Sequence, residues 1–181
     1  MGDEAETTAP VNSASRRRVA AGLAGIAVAP AAPAAAVEAP AADETLMREA
    51  LALAAQADLP FGAVIVRDGE ILARGMNSGK REKDPTAHGE MVAIRRFLSV
   101  YGPEALRGTT LYTSGEPCPM CMAAIIWCGI GRVVYGASIT QLSAVIGQIM
   151  VPSAEVAAKT DFATIEITGG VLADEAIRLF R

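Results

Sequence analysis

Apolar positions along the chain change period several times, and the changes mark out elements. Leu46, Met47, Ala50, Leu51 and Ala54 fall on one face at helical spacing, and Asp43 ahead of them can cap a helix running to about Ala57. A short apolar run from Phe61 to Val66, the turn Arg67-Asp68-Gly69-Glu70 and a second run from Ile71 to Met76 predict a hairpin. Lys80 to Pro85 reads as a polar loop. His88 to about Tyr101 reads as a helix with Met91, Ile94, Phe97 and Leu98 facing inward. Thr109 to Thr113 predicts a strand, and Cys118 to Cys128 a helix apolar on nearly every side and therefore buried. Arg132 to Ala137 and Thr164 to Thr168 predict two more strands, the latter followed by a Gly169-Gly170 turn and a closing helix from Ala173 to Phe180. Ile139 to Met150 has no period that fixes its structure. Strands alternating with helices make this an α/β layered domain.

The first forty residues lack such a period. Val19 to Pro40 is almost entirely Ala, Gly, Val and Pro, preceded by Ser15-Arg16-Arg17-Arg18. A basic patch, a mildly apolar stretch and the Ala-rich end Ala34-Ala35-Ala36 are ordered like an export signal, and the paired arginines resemble a twin-arginine signal. Residues 1–42 are therefore expected to be a leader that directs export, for instance to a periplasm, and residues 43–181 a single folded domain. The alternative is an Ala/Pro-rich extension on a cytoplasmic protein. Pro30 and Pro33 interrupt the apolar run, which is too short for a membrane span. With 51% hydrophobic residues the domain can bury a substantial core, and a net charge of −4 argues against avid binding to bulk nucleic acid. Three cysteines, two of them in Cys118-x-x-Cys121, do not make a disulfide framework, and His88 is the sole histidine.

His88 and Glu90 open one predicted helix, and Cys118 and Cys121 open another after Pro117. Cys-x-x-Cys at a helix N-terminus brings two sulfurs within reach of one ion, and the helix dipole favours thiolate over thiol. One histidine nitrogen completes three protein ligands, so a fourth tetrahedral position remains for water, as in catalytic rather than structural zinc sites. Glu90, two residues from His88, can take the water's proton and pass it on. A structural zinc would need a fourth ligand. The remaining cysteine, Cys128, lies two turns (about 10 Å) beyond Cys121 on the same predicted helix and cannot reach the same ion. Cys128 and Trp127 read as core residues. A redox Cys-x-x-Cys would not require His88 and Glu90.

Pro60-Phe61-Gly62-Ala63-Val64, Asp84-Pro85-Thr86-Ala87-His88-Gly89-Glu90 and Glu116-Pro117-Cys118-Pro119-Met120-Cys121 resemble the cytidine deaminase superfamily, within it the branch of guanine deaminases, tRNA adenosine deaminases and fungal-type cytosine deaminases. The resemblance covers about Leu46 to Phe180. It implies a three-layer α/β/α domain around a mixed five-stranded sheet, one Zn²⁺ per subunit on His88, Cys118 and Cys121, Glu90 as proton shuttle, and a homodimer. It also implies a substrate contact at Asn77, eleven residues ahead of His88, where local sequence alone suggests a turn beside Ser78-Gly79. Phe61 is expected to wall the base pocket or to serve the strand core, and the backbone around Glu116 and Cys118 to bind a ring carbonyl.

The favoured substrate is a small purine or pyrimidine, as for guanine or cytosine deaminases, with ammonia released. Phe61 and the Pro-Cys-Pro-Met-Cys stretch are similar to the guanine deaminase branch. Gly131-Arg132-Val133-Val134-Tyr135-Gly136-Ala137 and Ile167-Thr168-Gly169-Gly170-Val171-Leu172 are similar to the tRNA branch, which leaves adenosine-to-inosine conversion in tRNA as an alternative. A zinc-stabilised binding module without activity is a third reading, and the presence of Glu90 argues against it. Ile139 to Phe162 matches neither branch and is expected to border the pocket.

Overall fold

The computed structural model describes residues 41–181, so the expectations for the leader lie outside the described residues. Five strands, β1 (Gly62–Arg67), β2 (Glu70–Met76), β3 (Thr110–Gly115), β4 (Arg132–Ala137) and β5 (Glu166–Gly169), form one sheet in the order β2-β1-β3-β4-β5. β1 runs antiparallel to β2 and β3, while β3, β4 and β5 are mutually parallel. The β1–β2 hairpin turns through Asp68 and Gly69, both with positive φ (51° and 80°), as a tight two-residue turn requires. Period-two alternation divides the core between the two faces of the sheet. Ala63, Ile65, Leu111 and Val133 point into one cluster, and Val64, Val66, Tyr112 and Val134 into the other.

Helix α1 (Ala41–Ala54) and the closing helix α7 (Ala173–Arg178) cover the second cluster. α3 (Gly89–Tyr101) and α4 (Pro119–Trp127) cover the first, completing three α/β/α layers. Short helices α2 (Gly79–Glu82), α5 (Ile139–Ser143) and α6 (Ser153–Ala158) lie in the connections. Among the described residues, no helix is long and apolar enough to cross a membrane.

Several sequence expectations need correction. α1 begins at Ala41, and Asp43 lies inside its first turn rather than capping it. The Asp43 carboxylate is buried, accepting the Tyr112 hydroxyl (2.7 Å) and both terminal nitrogens of Arg132 (2.9 and 2.8 Å), which ties α1 to β3 and β4. Part of the expected Lys80–Pro85 loop belongs to α2, which Lys83 ends in a left-handed conformation. In α3 the fully inward positions are Val92, Ala93, Ile94 and Phe97, with Met91 and Leu98 only half-buried. α4 buries Cys121, Met122, Ile125 and Ile126, but Trp127 is 76% exposed, its ring 4.7 Å from that of Phe162. A helix that is apolar all round does not reveal which side faces the sheet.

One close approach fixes the seat of α3 on the sheet. A Cβ on Gly75 of β2 would collide with the Gly89 carbonyl oxygen and the Ala93 nitrogen of α3. The missing side chain lets the first turn of α3 press onto the sheet, at the turn that carries His88 and Glu90.

Candidate active site

His88 and Cys118 occupy equivalent places as the extended N-cap residues of α3 and α4. Pro119 follows Cys118 at the start of α4, where its fixed φ suits a helix and its missing N–H has no partner to lose. Cys121 lies one turn further on. The two helix starts meet so that His88 Nδ1 is 3.6 Å from Sγ of Cys118 and 3.6 Å from Sγ of Cys121. The three ligand atoms all lie within 4.8 Å of one another. For a tetrahedral ion with Zn–S bonds of about 2.3 Å and Zn–N of about 2.0 Å, the sulfur-to-nitrogen edge is about 3.5 Å, close to what is seen here.

The donors' proton affinities are strongly coupled. A hydrogen bond from Cys121, with another from His88, pulls the Cys118 thiol down to about 4 despite burial. The same sulfur-to-sulfur bond, with burial, pushes the Cys121 thiol upward, and the bond to Cys118 raises His88. The three donors thus compete for the same protons. A divalent cation accepts both thiolates and a neutral imidazole, which resolves this competition. The residues present fit a zinc ion with three protein ligands.

Glu90, in the first turn of α3, is 3% exposed, and burial raises its carboxyl above the usual range. Thr113 on β3 donates to its Oε1 at 3.2 Å. Thr113 is therefore part of the site, although nothing in a β-branched strand residue marks it as such in the sequence.

These groups open into a cavity of about 330 Å³. Apolar walls come from Leu59, Phe61, Pro85, Met120, Ile146 and Ile149, while Asn77, Gln148, His88, Glu90, Glu116 and Cys118 supply polar edges. No lysine or arginine lines it among the described residues. Asn77 is buried, in the turn the local sequence suggests and beside the cavity. Its Oδ1 accepts the Gly79 N–H at 3.3 Å as a turn asparagine does, and its side chain borders the cavity. Phe61 also serves twice. It borders the cavity and meets Phe180 edge-on with ring centres 5.1 Å apart.

Glu116 departs from expectation in how it is used. Its backbone N–H donates to the Ala137 carbonyl at 2.8 Å, leaving none for a ring carbonyl. Its carboxylate accepts the Ile139 N–H at one oxygen and the Ser153 N–H and hydroxyl at the other, each at 2.8 Å. Of the segment that the sequence left unassigned, Ile146 to Ile149 form one wall of the cavity.

Comparison with known proteins agrees with this geometry. Residues 40–137, more than half of the chain, match the cytidine and deoxycytidylate deaminase zinc-binding region. The guanine deaminase of Bacillus subtilis is 46% identical over 102 residues, covering 54% of this chain and 65% of that protein. The tRNA-specific adenosine deaminase of the same organism is 41% identical over 99 residues, covering 52% of this chain and 62% of that one. The chain thus matches somewhat less than two thirds of the length of these curated relatives. A solved structure from a study of A-to-I editing by tRNA:A34 deaminases superposes with a TM-score of 0.66 at 32% identity, over 75% of this chain and 98% of that one. Its mixed five-stranded sheet, its paired helix starts and these likenesses show that the chain belongs to the cytidine and deoxycytidylate deaminase zinc-binding family.

Proposed function

We propose that this protein is a hydrolytic deaminase acting on a free nucleobase or nucleoside, with guanine the leading candidate and cytosine next. The observation that carries the reading is a buried carboxyl, Glu90, beside three converging metal donors at the end of a largely apolar cavity. His88 Nδ1 and the sulfurs of Cys118 and Cys121 would hold zinc, which when bound supplies the Lewis acidity that lets water lose a proton near neutral pH. Glu90 takes that proton and hands it to the ring nitrogen beside the reacting carbon, then takes the second proton from the hydroxyl added to that carbon and gives it to the leaving amine. Water and an aminated ring become an oxo ring and ammonia. A carboxyl raised by burial and steadied by Thr113 can exchange protons with the substrate where an ordinary surface carboxylate would stay ionised.

The cavity's size and lining support a small flat substrate. Phe61, Met120, Ile146 and Ile149 offer apolar surface to a ring, and the neutral amides of Asn77 and Gln148 can each donate and accept along its edge. A lining without a cation among the described residues speaks for a substrate without phosphate inside the pocket. A tRNA adenosine deaminase is the second reading. It is favoured by a neighbouring cleft that shares Leu59, Asn77, Pro85 and His88 with the pocket and adds Lys80 and Lys83. Homodimer formation and export through the twin-arginine leader complete the proposal. Sedimentation and sequencing of the mature N-terminus check them.

Ammonia release by zinc-loaded protein from guanine, cytosine, adenine, their nucleosides and an anticodon stem-loop separates the readings. Turnover of a free base or nucleoside is expected. Turnover of the stem-loop alone would replace this proposal with the tRNA reading, and turnover of none would favour a binding module.

A further inference from the structure

We propose that Glu116 is a positioning residue that holds the starts of both helices flanking one wall of the pocket and so sets substrate affinity without entering the chemistry. This proposal rests on the pocket being the substrate site. The wall is carried by residues 144–152, between α5 and α6, which have no helix or strand. Along the stretch from Gly147 to Pro152, the one backbone N–H bonded to a backbone carbonyl is that of Val151, which donates to Ile149. Ile149 and Met150 are more than half exposed, so packing holds the crest weakly.

The first residues of the two helices that flank this stretch, α5 and α6, are held differently. Ile139 and Ser153 are both buried, at 1% and 0% exposure, and both backbone N–H groups donate to the one buried carboxylate of Glu116. Ser153 adds its hydroxyl to the same oxygen. Glu116 itself stands two residues before Cys118, at the turn leading from β3 into α4. A single side chain therefore joins the metal-donor turn to both flanks of the wall that carries Ile146, Gln148 and Ile149. Bonds to a charged acceptor are the stronger kind, and each donor here would be left buried without it.

The separating substitution is Glu116→Gln. Its amide oxygen can keep one flank, but its NH₂ then meets an N–H donor at the other. Hydrogen exchange across 144–152 should quicken by about tenfold while α3 and α4 stay protected and zinc remains bound. KM for guanine should rise by about tenfold with kcat within about threefold of wild type. Ser153→Ala, which keeps both backbone bonds and removes only the hydroxyl, should show the same pattern at about threefold and serves if Glu116→Gln does not fold. Unchanged exchange across 144–152 in whichever variant folds, or a fall in kcat and zinc content with KM constant, would overturn the proposal. If wild type fails to deaminate guanine, the functional reading for that base fails, while the exchange result still decides the clamp.

Discussion

At the floor of the pocket His88 and Cys118 cap two helices whose inner faces are sunk in the core, with Cys121 buried one turn behind, whereas Ile146 to Ile149 in the wall belong to a stretch without regular structure. The floor inherits its geometry from the sheet. Gly75 admits α3, β3 leads directly into α4, and both sulfurs fall 3.6 Å from the histidine nitrogen, close to a tetrahedral edge. The wall inherits little from the sheet and depends on a few hydrogen bonds at its flanks. The proposed chemistry thus sits at helix starts seated on the sheet, and the proposed substrate wall on a stretch without regular structure.

Substitutions can break or sharpen that contrast. Cys118→Ala should have the largest effect, removing zinc and turnover together, as metal analysis beside an ammonia assay would show. Asp43→Ala attacks the stiff frame on the face away from the pocket. Leaving Arg132 and Tyr112 without their buried partner should cost about 3 kcal/mol in chemical denaturation. Arg132 holds the Asp43 carboxyl below the usual range. Its contribution is therefore complete above the ordinary carboxylate value and is lost as pH falls through the lowered one. Wild-type stability should decline in that acidic window, and Asp43→Ala should flatten the decline. Gly75→Ala should cost about 2 kcal/mol by forcing α3 off the sheet, and should lower kcat because Glu90 moves with it. Gln148→Ala should do least, raising KM for guanine by about fivefold with zinc content and thermal stability unchanged.

The stiff part was the legible part. β4 is predicted to the residue, and the spacings His88-x-Glu90 and Cys118-x-x-Cys121 announce the donor set because both fall where apolar periodicity begins a helix. Legibility ends where a residue's role depends on a distant partner. Asp43 reads as a cap because its partners, Tyr112 and Arg132, lie far along the chain. Glu116 reads as part of a motif, while its use by Ile139 and Ser153 appears only when β4 and α5 are folded back beside it. Trp127 reads as core because α4 is apolar on every side, and apolarity without a stripe gives no direction. The 144–152 wall has no period at all, and its aperiodic sequence leaves its place beside the pocket to the tertiary fold.

The most direct test measures zinc content and ammonia release on the same preparations of wild type and Glu90→Ala. About one zinc per chain is expected in both, with turnover in wild type and a loss of about 10²–10⁴-fold in the variant. Turnover that survives in Glu90→Ala at the wild-type rate would contradict the assignment of Glu90 as the proton carrier and, with it, the chemistry proposed for this site.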